Sequence, residues 1–330
     1  MTLSYLAKLA QVSVSTVSKA FSDSSEVSAE TKAKIIKIAK ETGCYEKYYK
    51  PIYEKKLIAV ICPELLGVHY SQMVSCIERD IAARGGTTLI AVSNFSAKLQ
   101  AELIDYFIKF AHADGIILIE PIGTLKTNYK IPIVQIALNG DTGNVHSITM
   151  EIGDALDEAI TLLKTHKHSK IGFVGEQHTE NEFEYFEKHM SKNGLPVLSK
   201  YIPINDHRFY DCGYYGVDEM LARGKLPTAI FAAYSHVAVG VVQRLHEAHL
   251  RIPEDVSVIC MDDISISPYN DIDLTCIKMH LSELCKEATH LLYRIFAKRY
   301  TISKHTITVK RELHVGKSVS EARRTENVDL

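Results

Sequence analysis

Residues 11–19 read QVSVSTVSK, four hydroxyl side chains, three valines and a lysine inside an otherwise leucine-rich, amphipathic opening. Just upstream, Leu3, Leu6, Ala7 and Ala10 recur at i, i+3, i+4 and i+7, the repeat of a helix with one apolar face, and Thr2 stands at its N-cap. Ser13 is placed to cap a second helix that turns Val17 and Ala20 or Phe21 inward and leaves Val14, Ser15, Ser18 and Lys19 outward. After Ser24 and Ser25 break the pattern, Ser28 caps a third helix with Ile35, Ile36 and Ala39 as its apolar stripe and Gly43 as its C′ residue. The polar stretch is therefore one exposed face of a helix in a small three-helix bundle.

The tight turn between the first two helices has the spacing of a helix-turn-helix, whose second helix enters the major groove of DNA. Small hydroxyl residues allow close approach and bond phosphates or base edges, and Lys19 reaches a guanine or a phosphate. Charge points the same way. The chain's net charge is −2, but residues 1–56 hold ten lysines against six acidic residues, a surplus of +4 that leaves −6 for the rest. A basic head on an acidic body suits a polyanion-binding module joined to something with another task; lysines that merely solvate a helical bundle are the other reading.

At 330 residues and 46% hydrophobic content, the chain has room for two or three domains with substantial cores. The opening MTLSYLAKLAQ has no charged segment followed by an unbroken apolar run, and no apolar stretch reaches the length of a membrane span, which predicts a soluble, cytoplasmic protein with no membrane partner. Seven scattered cysteines with no C-x-x-C spacing point to reduced, buried thiols rather than a disulfide framework or a zinc site.

From Lys56 the pattern changes to apolar runs separated by longer helical stretches. LIAVICP, TTLIAVS, DGIILIE and PIVQIAL read as buried strands, with helices in SQMVSCIERDIAARGG and AKLQAELIDYFIKFAHA. A second series places strands in KIGFVGE, SKYIPI, TAIFAAY and VSVICMDD, with helices near 151–166, 181–193, 210–223 and 236–249. Repeated β-α alternation implies doubly wound parallel sheets, and so many strands are better divided between two lobes than held in one.

The run LAKLAQVSVSTVSKAFSDSSEVSAETKAKIIKIAKETGCY resembles the DNA-binding headpiece of the lac repressor (LacI/GalR) family, usually close to DVAKLAGVSVSTVSRVLN…VSEETRERV…LGY. The resemblance implies that Val14, Ser15 and Lys19 read bases and that Thr16 and Ser18 contact phosphates or the groove. Tyr5, Gln11 and Lys19 stand where the family usually has Asp, Gly and Arg. The linker departs further: CYEKYYKPIYEKKLIAV lacks the family's P-N and A-x-x-L, reaches the first body strand sooner, and has Pro51, which disfavours a helix through residue 50. The Tyr and Lys residues there either lie against phosphates or tether the head.

In the body, ADGIILIE, PTAIFAAYSHVAVGVVQRLHEAHLRIPEDVSVICMDD, LTCIKM and ELHVGKSVS resemble the family's effector domain, which is built like a periplasmic sugar-binding protein. The expected fold is a small all-α helix-turn-helix head joined to an α/β two-lobed periplasmic-binding-protein-like domain. Residues 1–45 form the head, 46–56 a short linker, 57–320 the effector-binding and dimerisation domain, and 321–330 a polar, frayed tail. In open α/β sheets a ligand sits outside the carboxyl ends of the strands, and between two lobes those ends line a cleft. By resemblance, His69, Tyr70 and Asp262 fall on effector contacts. Tyr234 and Ser235 replace the usual Asn-Asp pair, and Glu182 aligns with an expected arginine; a glutamate there repels anions and invites a cation or hydroxyls.

Other chemistries fail on spacing. Gly316-Lys317-Ser318 lacks the earlier glycine of a phosphate loop, since Arg311 stands there, and no G-x-G-x-x-G, G-x-S-x-G or H-E-x-x-H occurs. His166 and His168 suit a helix end better than a metal. Asp262-Asp263 suits ligand hydrogen bonding better than acid–base catalysis. The expected function is thus not enzymatic and needs no cofactor or metal. It is a sequence-specific transcriptional regulator, a repressor, that binds an operator in double-stranded DNA as a homodimer and answers to a small-molecule effector, a sugar or related metabolite. The alternative is a cytoplasmic sugar-binding or carrier protein without specific DNA recognition.

Overall fold

Three hydroxyl caps set the limits of the head. The Thr2 side chain accepts from the Tyr5 amide at 3.4 Å, Ser13 from the Thr16 amide at 3.0 Å and Ser28 from the Thr31 amide at 3.2 Å. They open α1 (Leu3–Ala10), α2 (Val14–Phe21) and α3 (Ala29–Glu41) as the sequence predicts. Gln11 closes α1 in the left-handed conformation, φ 55° and ψ 44°, a geometry that costs a side-chain-bearing residue about 1 kcal/mol. Leu6, Ala10, Val17, Phe21, Ile35 and Ala39 meet in the head's core. Ile36, expected there, is half-buried outside it; Ile38, at i+3 from Ile35, packs against the core instead. A short α4 (Tyr45–Tyr48) lays Tyr45 and Tyr48 against Phe21, with ring centroids 6.5 and 5.9 Å apart.

The computed structural model describes residues 2–21, 24, 26–48, 55–126, 129–137, 145–203, 205–224, 226–262, 273–297 and 305–323. It divides into two units, 1–57 and 58–330. Pro51, most of the linker and Asp263 lie outside the described residues.

The body holds two sheets. In the first lobe, β1 (Leu57–Cys62), β2 (Thr87–Val92), β3 (Gly115–Ile119), β4 (Ile133–Ala137) and β5 (His146–Glu151) are joined by a late strand, β10 (Thr306–Lys310), in the order β10-β5-β4-β3-β1-β2. The pairings β1/β3, β3/β4, β4/β5 and β5/β10 are parallel. Strands covered on both faces are apolar almost throughout, so β3 reads as a continuous hydrophobic run and β4 is broken only at Gln135, whose side-chain amide donates to the Ser147 hydroxyl at 2.7 Å. α5 (Val68–Ala83) and α6 (Ala97–Lys109) cover opposite faces.

In the second lobe, β6 (Ile171–Val174), β7 (Ala229–Ala232), β8 (Ser257–Cys260) and β9 (Thr275–Lys278) pair in parallel, and β11 (Glu312–His314) closes the edge antiparallel to β9. Around them stand α7 (Gly153–Thr165), α8 (Glu180–Lys192), α9 (Phe209–Ala222) and α10 (Ser235–Glu247). α9 and α10 approach backbone to backbone: a Cβ on Gly213 would lie 2.0 Å from the Val237 carbonyl oxygen, and one on Gly240 2.1 Å from that of Tyr210. α11 (Leu281–Phe296) returns to the first lobe and packs with α5. The chain therefore crosses between lobes after β5, after β9 and at Arg311 between β10 and β11.

SKYIPI is not a strand. Ser199–Tyr201 forms one turn of 3₁₀-helix, and Pro203, which has no N–H, cannot donate to a ladder; Ile204 lies outside the described residues. The strands β5, β9, β10 and β11 and the helix α11 carry no separate signal in the sequence reading. Residues 321–323 are docked, with the Ala322 amide donating to the His166 carbonyl at 2.7 Å and Arg323 paired with Asp255 at 3.1 Å. Among the described residues no helix is long and apolar enough to cross a membrane.

Candidate DNA-reading helix and interlobe cleft

On α2, burial of Val17, Ala20 and Phe21 leaves Val14, Ser15 and Ser18 exposed on one side. Val14 is 44% exposed, a large fraction for a valine with a core beside it. Thr16 is half-buried, its hydroxyl bonded to the capping Ser13 at 2.8 Å. Lys19 reaches back to the Glu26 carboxylate, an ion pair that is solvent-exposed and so exchanges readily for a phosphate or a guanine. Neither α1 nor α2 has an acidic residue in its first turn, so the positive ends of their peptide dipoles remain open to anions. The five residues expected to contact DNA thus occupy one helix, three of them openly and two in local hydrogen bonds or ion pairs.

The cleft is assembled from strand ends. Glu64 follows β1, Glu120 follows β3, Glu176 follows β6, Tyr234 follows β7 and Asp262 follows β8, and all five line one cavity between the lobes. His69 and Tyr70 enter it from the first turn of α5, Glu182 from α8 and Ser235 from the start of α10. All six residues expected around an effector therefore face one space.

Two charged clusters organise that space. The Arg208 guanidinium donates to both oxygens of Glu64 at 3.0 Å and to both oxygens of Glu176 at 3.1 and 3.2 Å. Glu64 belongs to the first lobe, Arg208 and Glu176 to the second, so this is a bidentate bridge across the cleft. Its hydrogen bonds to Glu64, partly offset by burial, hold the arginine still more firmly protonated than usual. Phe95, from the loop after β2, stacks on His178 across the same gap with ring centroids 3.9 Å apart.

The second cluster lies deeper. The Tyr70 hydroxyl donates to Glu120 at 2.5 Å, and His69 Nδ1 is 4.0 Å from the Asp262 carboxylate. Burial, then the neighbouring Glu120 carboxylate, raises the Glu182 acid to about 7. Arg311 is only 8% exposed, and burial lowers its proton affinity. One of its Nη atoms donates to the Met261 carbonyl at 3.5 Å, while its Nε has no hydrogen-bond partner. On the other side of the cleft the Tyr234 hydroxyl accepts from the Phe209 amide at 3.1 Å.

Comparison with known proteins assigns both units. Residues 2–46 match the model of bacterial regulatory proteins, lacI family, and residues 160–319 match that of the periplasmic binding protein-like domain. The head is a lacI-family DNA-binding domain, and the body carries a periplasmic binding protein-like domain. Over 317 residues it is 24% identical to catabolite control protein A of Priestia megaterium, covering 90% of this chain and 93% of that one. Over 307 residues it is 26% identical to the transcriptional repressor CytR of Escherichia coli, covering 88% of each. Its fold is shared with the lac repressor dimer bound to operator and an anti-inducer, at a TM-score of 0.71 and 20% identity over 97% of this chain and 99% of that one. The regulator CelR in complex with cellobiose is similar at a TM-score of 0.65 and 21% identity over 96% and 99%.

With a lacI-family head, and similar over most of its length to named transcriptional regulators, the chain is a DNA-binding transcriptional regulator and not an enzyme. The family pattern located the cleft from six positions, but it passed over most of the charge within. Glu64, Glu120 and Glu176 could have been found, because each directly follows an apolar strand run at its carboxyl end. Arg208 and Arg311 carry no such signal. One precedes a helix and the other joins two short strands that the sequence did not disclose.

Proposed function

We propose that this protein is a cytoplasmic repressor that binds a near-palindromic operator as a homodimer through Val14, Ser15, Thr16, Ser18 and Lys19. In this reading a hydroxyl-bearing metabolite in the interlobe cleft, held by His69, Tyr70, Glu182, Tyr234, Ser235 and Asp262, controls it. The observation that carries the reading is the convergence of these side chains from both lobes at strand carboxyl ends. A ligand held there contacts both lobes and has a different affinity for each of their relative arrangements. That difference in affinity is the whole of the coupling available to change DNA binding. The cellobiose bound by the similar regulator CelR is consistent with a polyhydroxylated effector. Residues 1–45 serve as the head, 46–56 as the linker and 57–320 as the effector and dimerisation domain.

The test is an operator-bound sample titrated with fractionated small metabolites, read by fluorescence anisotropy of the DNA. A fraction should change operator affinity in the wild type and lose its effect in Asp262→Ala. If no fraction acts, or if the variant responds as the wild type does, the cleft is not the control site.

A further inference from the structure

The cleft's charge does not suit a neutral sugar alone. Among the described residues that line it are five carboxylates and two guanidiniums. Arg208 is taken up by Glu64 and Glu176, which leaves Arg311 facing Glu120, Glu182 and Asp262. All four groups line the same cavity. A second chamber shares Tyr70, Phe95, Glu120, His178 and Glu182 with the cleft and adds Glu180; no lysine or arginine is among its described lining residues. An anion would meet a net repulsion there, and a cation a net attraction.

An independent observation asks for a ligand's oxygen. Arg311 is more than nine-tenths buried, lines the cleft, and has an Nε–H without an acceptor. A buried cationic donor left unsatisfied is costly, and a hydroxyl oxygen delivered by a ligand would complete it. Nearby, the Tyr70 and Phe95 rings stand at 68° with centroids 6.2 Å apart, and the Tyr70 hydroxyl holds Glu120 in place. The Tyr70 ring beside these carboxylates forms a cation-binding corner, backed by Phe95, whose own faces are taken by His178 and Arg208.

Building on the reading of the cleft as an effector site for hydroxylated molecules, we propose that the effector is a polyhydroxylated amine. Its ammonium group sits between Glu120 and Glu182 against Tyr70, and its hydroxyls engage Arg311 and Asp262. Because burial and Glu120 keep Glu182 partly protonated near pH 7, arrival of the ammonium ionises it and releases a proton.

Matched sets test this by calorimetry on the full-length protein: glucamine, glucitol and gluconate; glucosamine, glucose and glucuronate; galactosamine, galactose and galacturonate. In at least one set the amine should bind about tenfold or more tightly than its neutral partner, with the acid weakest. Its heat of binding should depend on the ionisation enthalpy of the buffer in the direction of proton release. Glu182→Gln should erase the amine's preference over its neutral partner and the proton release, and a thermal unfolding transition as cooperative as the wild type's shows that the variant is folded. A neutral or acidic member that binds as tightly as its amine would overturn the proposal and leave the effector-site reading standing. Absence of binding by every member would also overturn it, and the operator assay with metabolite fractions would then decide that reading on its own.

Discussion

The head and the cleft present their functional groups in opposite ways. On α2, Val14, Ser15 and Ser18 stand side by side within one short helix, exposed and scarcely tied to one another. In the cleft, groups from Glu64 to Arg311 come from both lobes, are largely buried, and are held by hydrogen bonds and charge. A surface that must accept a long polyanion can be local and open, since the partner supplies the opposite charge. A cavity that must discriminate a small molecule has to be assembled and partly desolvated beforehand. The difference teaches that substitutions on the exposed face of α2 should alter binding without altering stability, whereas substitutions in the cleft should alter both.

The severest break should come from Arg208→Ala. It strands Glu64 and Glu176, each about 8% exposed, without their shared cation, and removing one partner of a buried pair costs about 3–5 kcal/mol. Thermal unfolding should show a large fall in the body's melting temperature, partly restored by adding Glu64→Gln and Glu176→Gln. A body as stable as the wild type would mean that the bridge across the cleft contributes nothing. Gly240→Ala comes next, at about 3 kcal/mol, because the new Cβ collides with backbone rather than with a side chain that can move aside. Denaturant melts of the full chain should register the loss.

In the head, Lys19→Ala should weaken operator binding by about 1–3 kcal/mol and relax preference at one or two base pairs, with the unfolding midpoint unchanged. Glu26→Gln, which removes the carboxylate that Lys19 pairs with, should shift affinity the other way. Competition binding against operators altered one base pair at a time separates the two outcomes.

Glu182 gives a smaller, pH-dependent effect. Its pKa rises from 4.5 to about 7 on folding, so the folded chain keeps a proton that the unfolded chain releases, and stability falls as pH rises through that window. The loss should be about 2 kcal/mol between pH 5 and pH 7.5 after allowance for partial exposure, and Glu182→Gln should flatten that part of the profile. Smallest of all, Gln11→Gly should stabilise the head by about 0.5–1 kcal/mol by relieving the left-handed residue, less the entropy that glycine adds to the unfolded chain.

The same contrast explains what could be read from the sequence. The head was legible because its caps, stripe and exposed face fall within a few turns of one another, as Ser13, Val17 and Ser18 show. The central strands β1 and β3 were legible because burial on both faces favours unbroken apolar runs, and β4 because only Gln135 interrupts its own. Short edge strands gave no such run: in β10, Thr306, Thr308 and Lys310 are exposed and alternate with Ile307 and Val309. Ion pairs such as Glu64 with Arg208 span 144 positions and depend on how two lobes meet, which no local pattern records. Arg311 drew notice only as the residue that spoiled a phosphate loop, yet it lies at a crossing between the lobes and faces the cleft.

The most direct measurement is selection from a random duplex DNA library by the purified protein at near-physiological salt, followed by a salt titration on the sequence recovered. A head that reads bases as part of a dimer should enrich a near-palindrome and lose affinity steeply as salt rises, with both effects blunted in Lys19→Ala. Equal recovery of all sequences, with and without metabolite fractions present, would contradict sequence-specific reading by this helix.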